Sequence, residues 1–167
     1  MGLDYNANLK AIQDIFIAAN TTTATVDLSG GLSTRIDNLN IRVADIDTVS
    51  LRAQDFPLLF IRVSDKEESF ETLGRTGLSR NTKSAVVRYD LVGMARKDGA
   101  HTTNDDLSTE VNQFAQNIEG VMRENDTLSG TALWANTPST TFTGAFENGG
   151  IWIKGVLVNL EAKHFFK

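Results

Sequence analysis

Apolar side chains recur at helical spacing from the start of the chain. Leu9, Ile12, Phe16 and Ala19 fall three or four residues apart, with Asp4, Asn8, Lys10 and Asp14 among the polar positions. That spacing predicts a first helix with one buried face. Thr21, Thr22 and Thr23 follow and should end it, because β-branched residues in a row resist helix. No clean period governs the residues after them. Val26 and Leu28 before Ser29-Gly30-Gly31, then Ile41, Val43, Val49 and Leu51, predict short strands and loops across 21–56.

A clearer strand opens after Pro57. Leu58 to Val63 is apolar apart from Arg62, as a strand buried on both faces would be. Ser64 to Ser84 turns polar, with Glu67, Glu68, Glu71, Gly74, Arg75, Gly77, Arg80 and Lys83. It reads as a long charged loop or a hairpin tip, and such segments in compact domains tend to carry function. Ala85 to Ala95 is the next strand, with Val87, Tyr89 and Leu91 on one face and Val86, Arg88, Asp90, Val92 and Met94 on the other. Leu107, Val111, Phe114, Ile118 and Val121 then alternate spacings of four and three, which predicts a long helix from about Asp105 to Glu124. Asn125 is placed to end it in the left-handed conformation.

Leu128 to Trp134 reads as a strand interrupted by Gly130, and Asn136 to Asn148 as a threonine-rich loop carrying Pro138, Phe142 and Phe146. Gly149-Gly150 starts a last alternating strand, Ile151 to Phe166. Trp152, Lys154, Val156, Val158, Leu160, Ala162, His164 and Phe166 are expected to share one face. Gly155 is the expected site of a bulge. Ile151 to Leu160 has the texture of a core strand, whereas the mixed tail through Phe165 and Phe166 is expected to leave the sheet and meet a neighbouring subunit. The order predicts a single α+β domain over 1–167. Its sheet is mostly antiparallel and packed by one long helix, with an additional N-terminal helix.

Composition narrows the function classes. A chain of 167 residues with 41% hydrophobic and 22% charged residues can build a packed core unaided. The net charge of −5 argues against specific nucleic-acid binding, which needs a concentrated positive face. With no cysteine, disulfides, thiol nucleophiles and Cys-ligated metals are excluded. No apolar run is long enough to span a bilayer, and the N-terminal residues lack the basic and apolar regions of a signal peptide.

Candidate chemistry is sparse. His101 sits near Asp98, Asn104, Asp105 and Asp106, but without the spacing of a calcium loop. Ser29-Gly30 and Ser129-Gly130 lack the Gly-x-Ser-x-Gly context of a nucleophile elbow. Gly74-Arg75-Thr76-Gly77 lacks the Gly-Lys-Ser/Thr of a phosphate loop. The sequence therefore offers no catalytic, cofactor or metal residues. Trp134, Trp152, Phe142 and Phe146 read first as packing and second as a contact surface.

As a whole the chain resembles the tail terminator, or tail completion, proteins of long-tailed bacteriophages. The residues that carry the resemblance are an N-terminal helix, the Pro-initiated strand Phe56 to Val63 and a strand ending Tyr89-Asp90-Leu91-Val92-Gly93. The helix from Leu107 to Met122 and the closing strand Gly150 to Val158 complete it. The resemblance implies a non-enzymatic virion protein of the tail or neck, assembled in the host cytoplasm. It would form a homo-oligomeric ring, typically hexameric, that caps the tail tube protein and docks the head-completion or connector protein. DNA would pass through its lumen. The residues expected to reach neighbours are Glu67, Glu68, Arg75, Arg80, Phe142, Phe146, Phe165 and Phe166. The alternatives are another virion component, such as a stopper, tube or minor tail protein, or a small ligand-binding domain or enzyme using a cleft beside the second helix.

Overall fold

A computed structural model describes residues 3–20, 39–44, 51–71, 82–98 and 104–166. Helix α1 runs Tyr5–Ala19, capped by Asp4, whose carboxylate accepts from the Ala7 N–H at 3.0 Å. Its expected stripe is the buried one: Ile12, Ile15 and Phe16 face the core, and Leu9 and Ala19 pack at its margin. Helix α2 runs Asn104–Glu124 and buries Leu107, Val111, Phe114, Ile118 and Val121. Asn125 does not take the left-handed conformation. Its side-chain amide donates to the Val121 carbonyl at 2.8 Å, and the positive φ angles fall later, at Leu128, Ser129 and Gly130.

The strands are β1 (Asn40–Val43), β2 (Leu58–Glu71), β3 (Thr82–Asp98), β4 (Trp134–Phe142), β5 (Phe146–Asn148) and β6 (Ile151–Phe166). They form one mixed sheet in the order β1-β2-β3-β6-β4, with β5 continuing the β4 side of β6. The fold is α+β. Every pairing is antiparallel except β1 with β2. Both helices pack on the same sheet face, α1 over β1 and β2 and α2 over β3, β6 and β4. One face of each central strand is therefore dry. Val87, Tyr89 and Leu91 of β3 and Val156, Val158, Leu160 and Ala162 of β6 are fully buried beneath the helices.

Four expectations change. The polar stretch from Ser64 is strand for most of its length: β2 continues to Glu71 past a bulge between Val63 and Asp65, and β3 begins at Thr82. Its polarity on β2 reflects exposure of Asp65 to Glu68 beside β3, not lack of structure. Of the expected strand Leu128 to Trp134, all but Trp134 is a chain of tight turns, with Leu128 buried. The threonine-rich stretch after it is an edge strand, β4, then β5. Most of its side chains stay exposed and only Ala135 is buried, so apolar periodicity could not show it. Pro138 sits where the β4–β6 register slips, a position that needs no ladder N–H.

The fourth change concerns β6. It pairs with β3 without a break from Asp98↔Ile151 to Lys83↔Phe166. The tail is part of the sheet, and Ala162 and His164 are buried in it. Gly155 is no bulge on that side but a point of close approach. A Cβ there would lie 3.3 Å from the Gly93 carbonyl oxygen and 3.4 Å from Thr143 Oγ1. Asn148 and Ile151 flank a turn whose two glycines both have positive φ, 61° and 82°. That is the two-residue hairpin turn that matches strand twist.

Gly93 is the seat of α2 on the sheet. A Cβ there would stand 3.0 Å from the Phe114 ring and 3.2 Å from Ile118 Cδ1. Gly93→Val should cost about 1–3 kcal/mol by overpacking, read as a lower urea midpoint, and Phe114→Leu should recover part of that loss. Deleting 161–167 removes buried Ala162 and His164 and the far partner of β3. It should abolish cooperative unfolding, measured by circular dichroism, instead of leaving a folded monomer.

Candidate functional site

The sheet separates the expected contact residues into two groups. Glu67, Glu68 and Phe165 lie at the hairpin end, in the rows Glu67↔Val86↔Lys163, Glu68↔Ala85↔His164 and Ser69↔Ser84↔Phe165. Phe142 and Phe146 lie along the β4–β5 edge opposite Val156 and Ile153. From Ile153 to Phe165 along β6 is roughly 40 Å at the rise of a strand. Arg75 and Arg80 fall outside the described residues, as does His101. Phe166 contributes backbone pairing to β3.

At the hairpin end, alternation sorts the charges by face. Asp65, Glu67, Arg88 and Glu161 lie on the face away from the helices. Arg88 bonds Glu161 and Asp65 at 2.7 Å each, with Glu67 at 3.7 Å. Glu161 first and then Asp65 hold the guanidinium pKa above its ordinary value. Lys66 and Glu68 lie on the helix face and pair with each other, Lys66 standing 5.7 Å from the Tyr5 ring centre. Glu68 raises the Lys66 pKa, with a smaller contribution from Tyr5, and Lys66 lowers that of Glu68. Phe165 is 44% exposed, with Lys163 Nζ 5.6 Å from its ring centre.

The other group behaves differently. Phe142 pairs with Val156 and so sits on the helix side of the edge, whereas Phe146 pairs with Ile153 and sits on the opposite side. They are 48% and 63% exposed. Between them Thr143 is tied to Gly155, its backbone N–H donating to the Gly155 carbonyl at 2.9 Å and its hydroxyl accepting from the Gly155 N–H at 2.8 Å. No residue from Thr137 to Phe146 carries a charge.

Two features were not singled out from sequence. The first is a buried polar line beneath the helices. His164, 2% exposed, lies 2.8 Å through Nδ1 from the Thr131 carbonyl and 3.5 Å through Nε2 from the Tyr89 hydroxyl. A carbonyl can only accept, so Nδ1 carries the proton. Burial pushes the Tyr89 pKa up to about 12, and the nearby Asn8 amide acts against it. Burial also lowers the His164 pKa, partly offset by the Thr131 bond.

The second is Asn117 on α2. It is 4% exposed, and neither its Nδ2 nor its Oδ1 has a hydrogen-bond partner among the described residues. Three residues after Phe114 and one before Ile118, it falls on the apolar stripe, a signal legible in the sequence. It lines a small cleft of about 10 Å³, room for about one water, between the end of α1 and α2, walled by Phe16, Leu39, Phe114 and Val121.

Among the described residues no three metal-ligating side chains cluster, and no helix is long and apolar enough to cross a membrane. Asp98 spends both carboxylate oxygens on Arg96, at 2.8 and 2.9 Å. No protein-family model matches the chain, and no curated protein matches it.

The histidine gives a pH dependence of definite sign. Its folded pKa lies below the ordinary value of about 6.5, so below that pH the unfolded chain takes up a proton that the folded chain resists. Stability is complete above about pH 6.5 and is lost as pH falls through the folded pKa. His164→Gln should remove that part of the fall in urea midpoint between about pH 7.5 and about pH 5.5, whereas His101→Gln, the control for the other histidine, should retain it.

Proposed function

We propose that the protein is a ring-forming virion assembly protein of a long-tailed bacteriophage, a tail terminator that caps the tail tube and joins it to the head connector. The observation that carries this reading is the β2–β3 hairpin. Strands of 14 and 17 residues exceed the usual strand length of about three to ten. They carry a row of exposed charges, Asp65 to Glu68, on β2. Charges exposed at this end of the sheet can meet a neighbour without disturbing the core beneath them.

The element order supports the same reading. An N-terminal helix, a strand opening after Pro57, a long helix and a closing strand from Gly150 are what the resemblance implies. The exposed Phe142 and Phe146 add an uncharged edge far from the charged end, so one subunit carries two unlike surfaces. Unlike surfaces make head-to-tail contacts, which close into rings when the rotation per subunit allows.

Native mass measurement tests the proposal. A closed oligomer, sixfold in the expected case, that binds the ends of purified tail tubes is the expected result. Open filaments of growing length would favour a tube subunit, and a monomer that ignores tube ends would overturn the proposal.

A further inference from the structure

The cleft beside Asn117 has the size of one solvent molecule. Its volume of about 10 Å³ stands at the lower bound of the roughly 10–15 Å³ that a water needs, and a side chain or cofactor does not fit. Size alone calls for no occupant, because small cavities lined only by apolar groups stay dry. Asn117 makes the difference. It is 4% exposed, and neither amide atom has a hydrogen-bond partner among the described residues. A donor and an acceptor buried without partners are costly, and a group that bonds both removes that cost.

The two atoms select the occupant. Nδ2 donates and Oδ1 accepts, so the occupant has to accept and donate at once. A cation would answer Oδ1 alone, and an anion Nδ2 alone. No lining side chain carries a charge to balance either. An apolar guest would answer neither. A water answers both, its oxygen accepting from Nδ2 while one of its hydrogens goes to Oδ1. Turning the carboxamide over exchanges the two bonds and changes nothing else.

The water then has a second hydrogen to donate, and the far wall of the cleft can take it. Phe16, Ala19 and Asn20 line that wall, at the C-terminal end of α1. Carbonyls in a last helical turn find their partners outside the helix. Each also has two lone pairs, so a carbonyl already bonded once, as Phe16 is to the Asn20 N–H at 2.9 Å, can accept again.

We infer that the cleft is a binding site for one structural water, held by both amide atoms of Asn117 and by a carbonyl of the last turn of α1. Three bonds are the usual complement of a buried water. The site joins the two helices by directional bonds. Phe16, Phe114 and Val121 line the same cleft, but apolar burial is non-directional and does not by itself set how α1 lies against α2. It also accounts for an asparagine on the apolar stripe of α2, between Phe114 and Ile118.

The test uses the full chain in solution and in crystals. Water-selective Overhauser spectra should show cross-peaks between the Asn117 side-chain amide protons and a long-lived bound water. A crystal structure should place one water about 2.7–3.2 Å from both Asn117 atoms. Asn117→Leu, close to asparagine in length, should abolish the cross-peaks and the ordered water. Should that variant fail to fold, the wild-type spectra and crystal structure decide by themselves. Absence of a water cross-peak at Asn117 would overturn the inference. So would a structure in which residues 21–38 of the same chain bond the two amide atoms.

Discussion

The antiparallel ladder between β3 and β6 holds the molecule together. It runs unbroken from Asp98↔Ile151 to Lys83↔Phe166, and every other element attaches to one of these two strands or to β2 beside them. Its helix-facing side is dry because α2 lies across it, and α2 can lie there because Gly93 has no side chain. The Phe114 ring occupies the space a Cβ would need. Each large apolar side chain buried under the helix contributes roughly 1.5–3 kcal/mol. An exposed ion pair contributes about 0–1 kcal/mol. Stability therefore comes from the helix-side layer, and the Arg88 and Arg62 clusters on the other face add little to it.

That inequality leaves the opposite face free to specialise. Leu58 and Phe60 are buried there, but outside the helix-side core. The 3-10 turn Ala53–Asp55 is anchored beside them: Asp55 accepts from the Arg52 N–H at 2.7 Å and from Arg42 at 2.5 Å, while Asn40 bonds the Asp55 carbonyl at 2.9 Å. The Arg52 bond, aided by Arg42, lowers the Asp55 pKa against the effect of burial. Farther along, Arg62 and Asp90 pair at 3.0 Å across β2 and β3. Polar pairing here orders the strands without closing the face.

The polar line through Tyr89, His164 and Thr131 works on the other side of the same strands. It fastens the turns after α2 to the end of β6, together with the Leu133 N–H donating to the Lys163 carbonyl at 2.7 Å. Those turns hold Leu128 at a φ of 48°, unusual for a bulky residue, and its fully buried side chain offsets the conformational cost. The β4–β5 edge starts from this fastened point. A contact surface carried on that edge thus inherits its position from the core, and a cleft between two core-packed helices does the same.

The sequence alone determined the elements with an apolar period: the first helix, the second to within about a residue, the first half of β2, β3, and the helix-facing side of β6. Burial on one side writes itself into residue spacing, so the α+β class was legible. What had no apolar period was decided only by tertiary structure. The charged residues after Val63 became strand because β3 lay beside them to pair with. The threonines of β4 became strand because β6 offered an edge, and the tail to Phe166 stayed in the sheet because β3 was long enough to hold it. Backbone hydrogen bonding to a neighbour needs no particular side chain, so its signal is absent from the residues that receive it. The candidate surface divides in the same way. Exposed phenylalanines near Gly149-Gly150 were visible as residues, but alternation across the edge decided which faces they occupy. Asn117 stood in the helical stripe for anyone counting by three and four, and only the packing of α1 against α2 left its amide buried and unpaired.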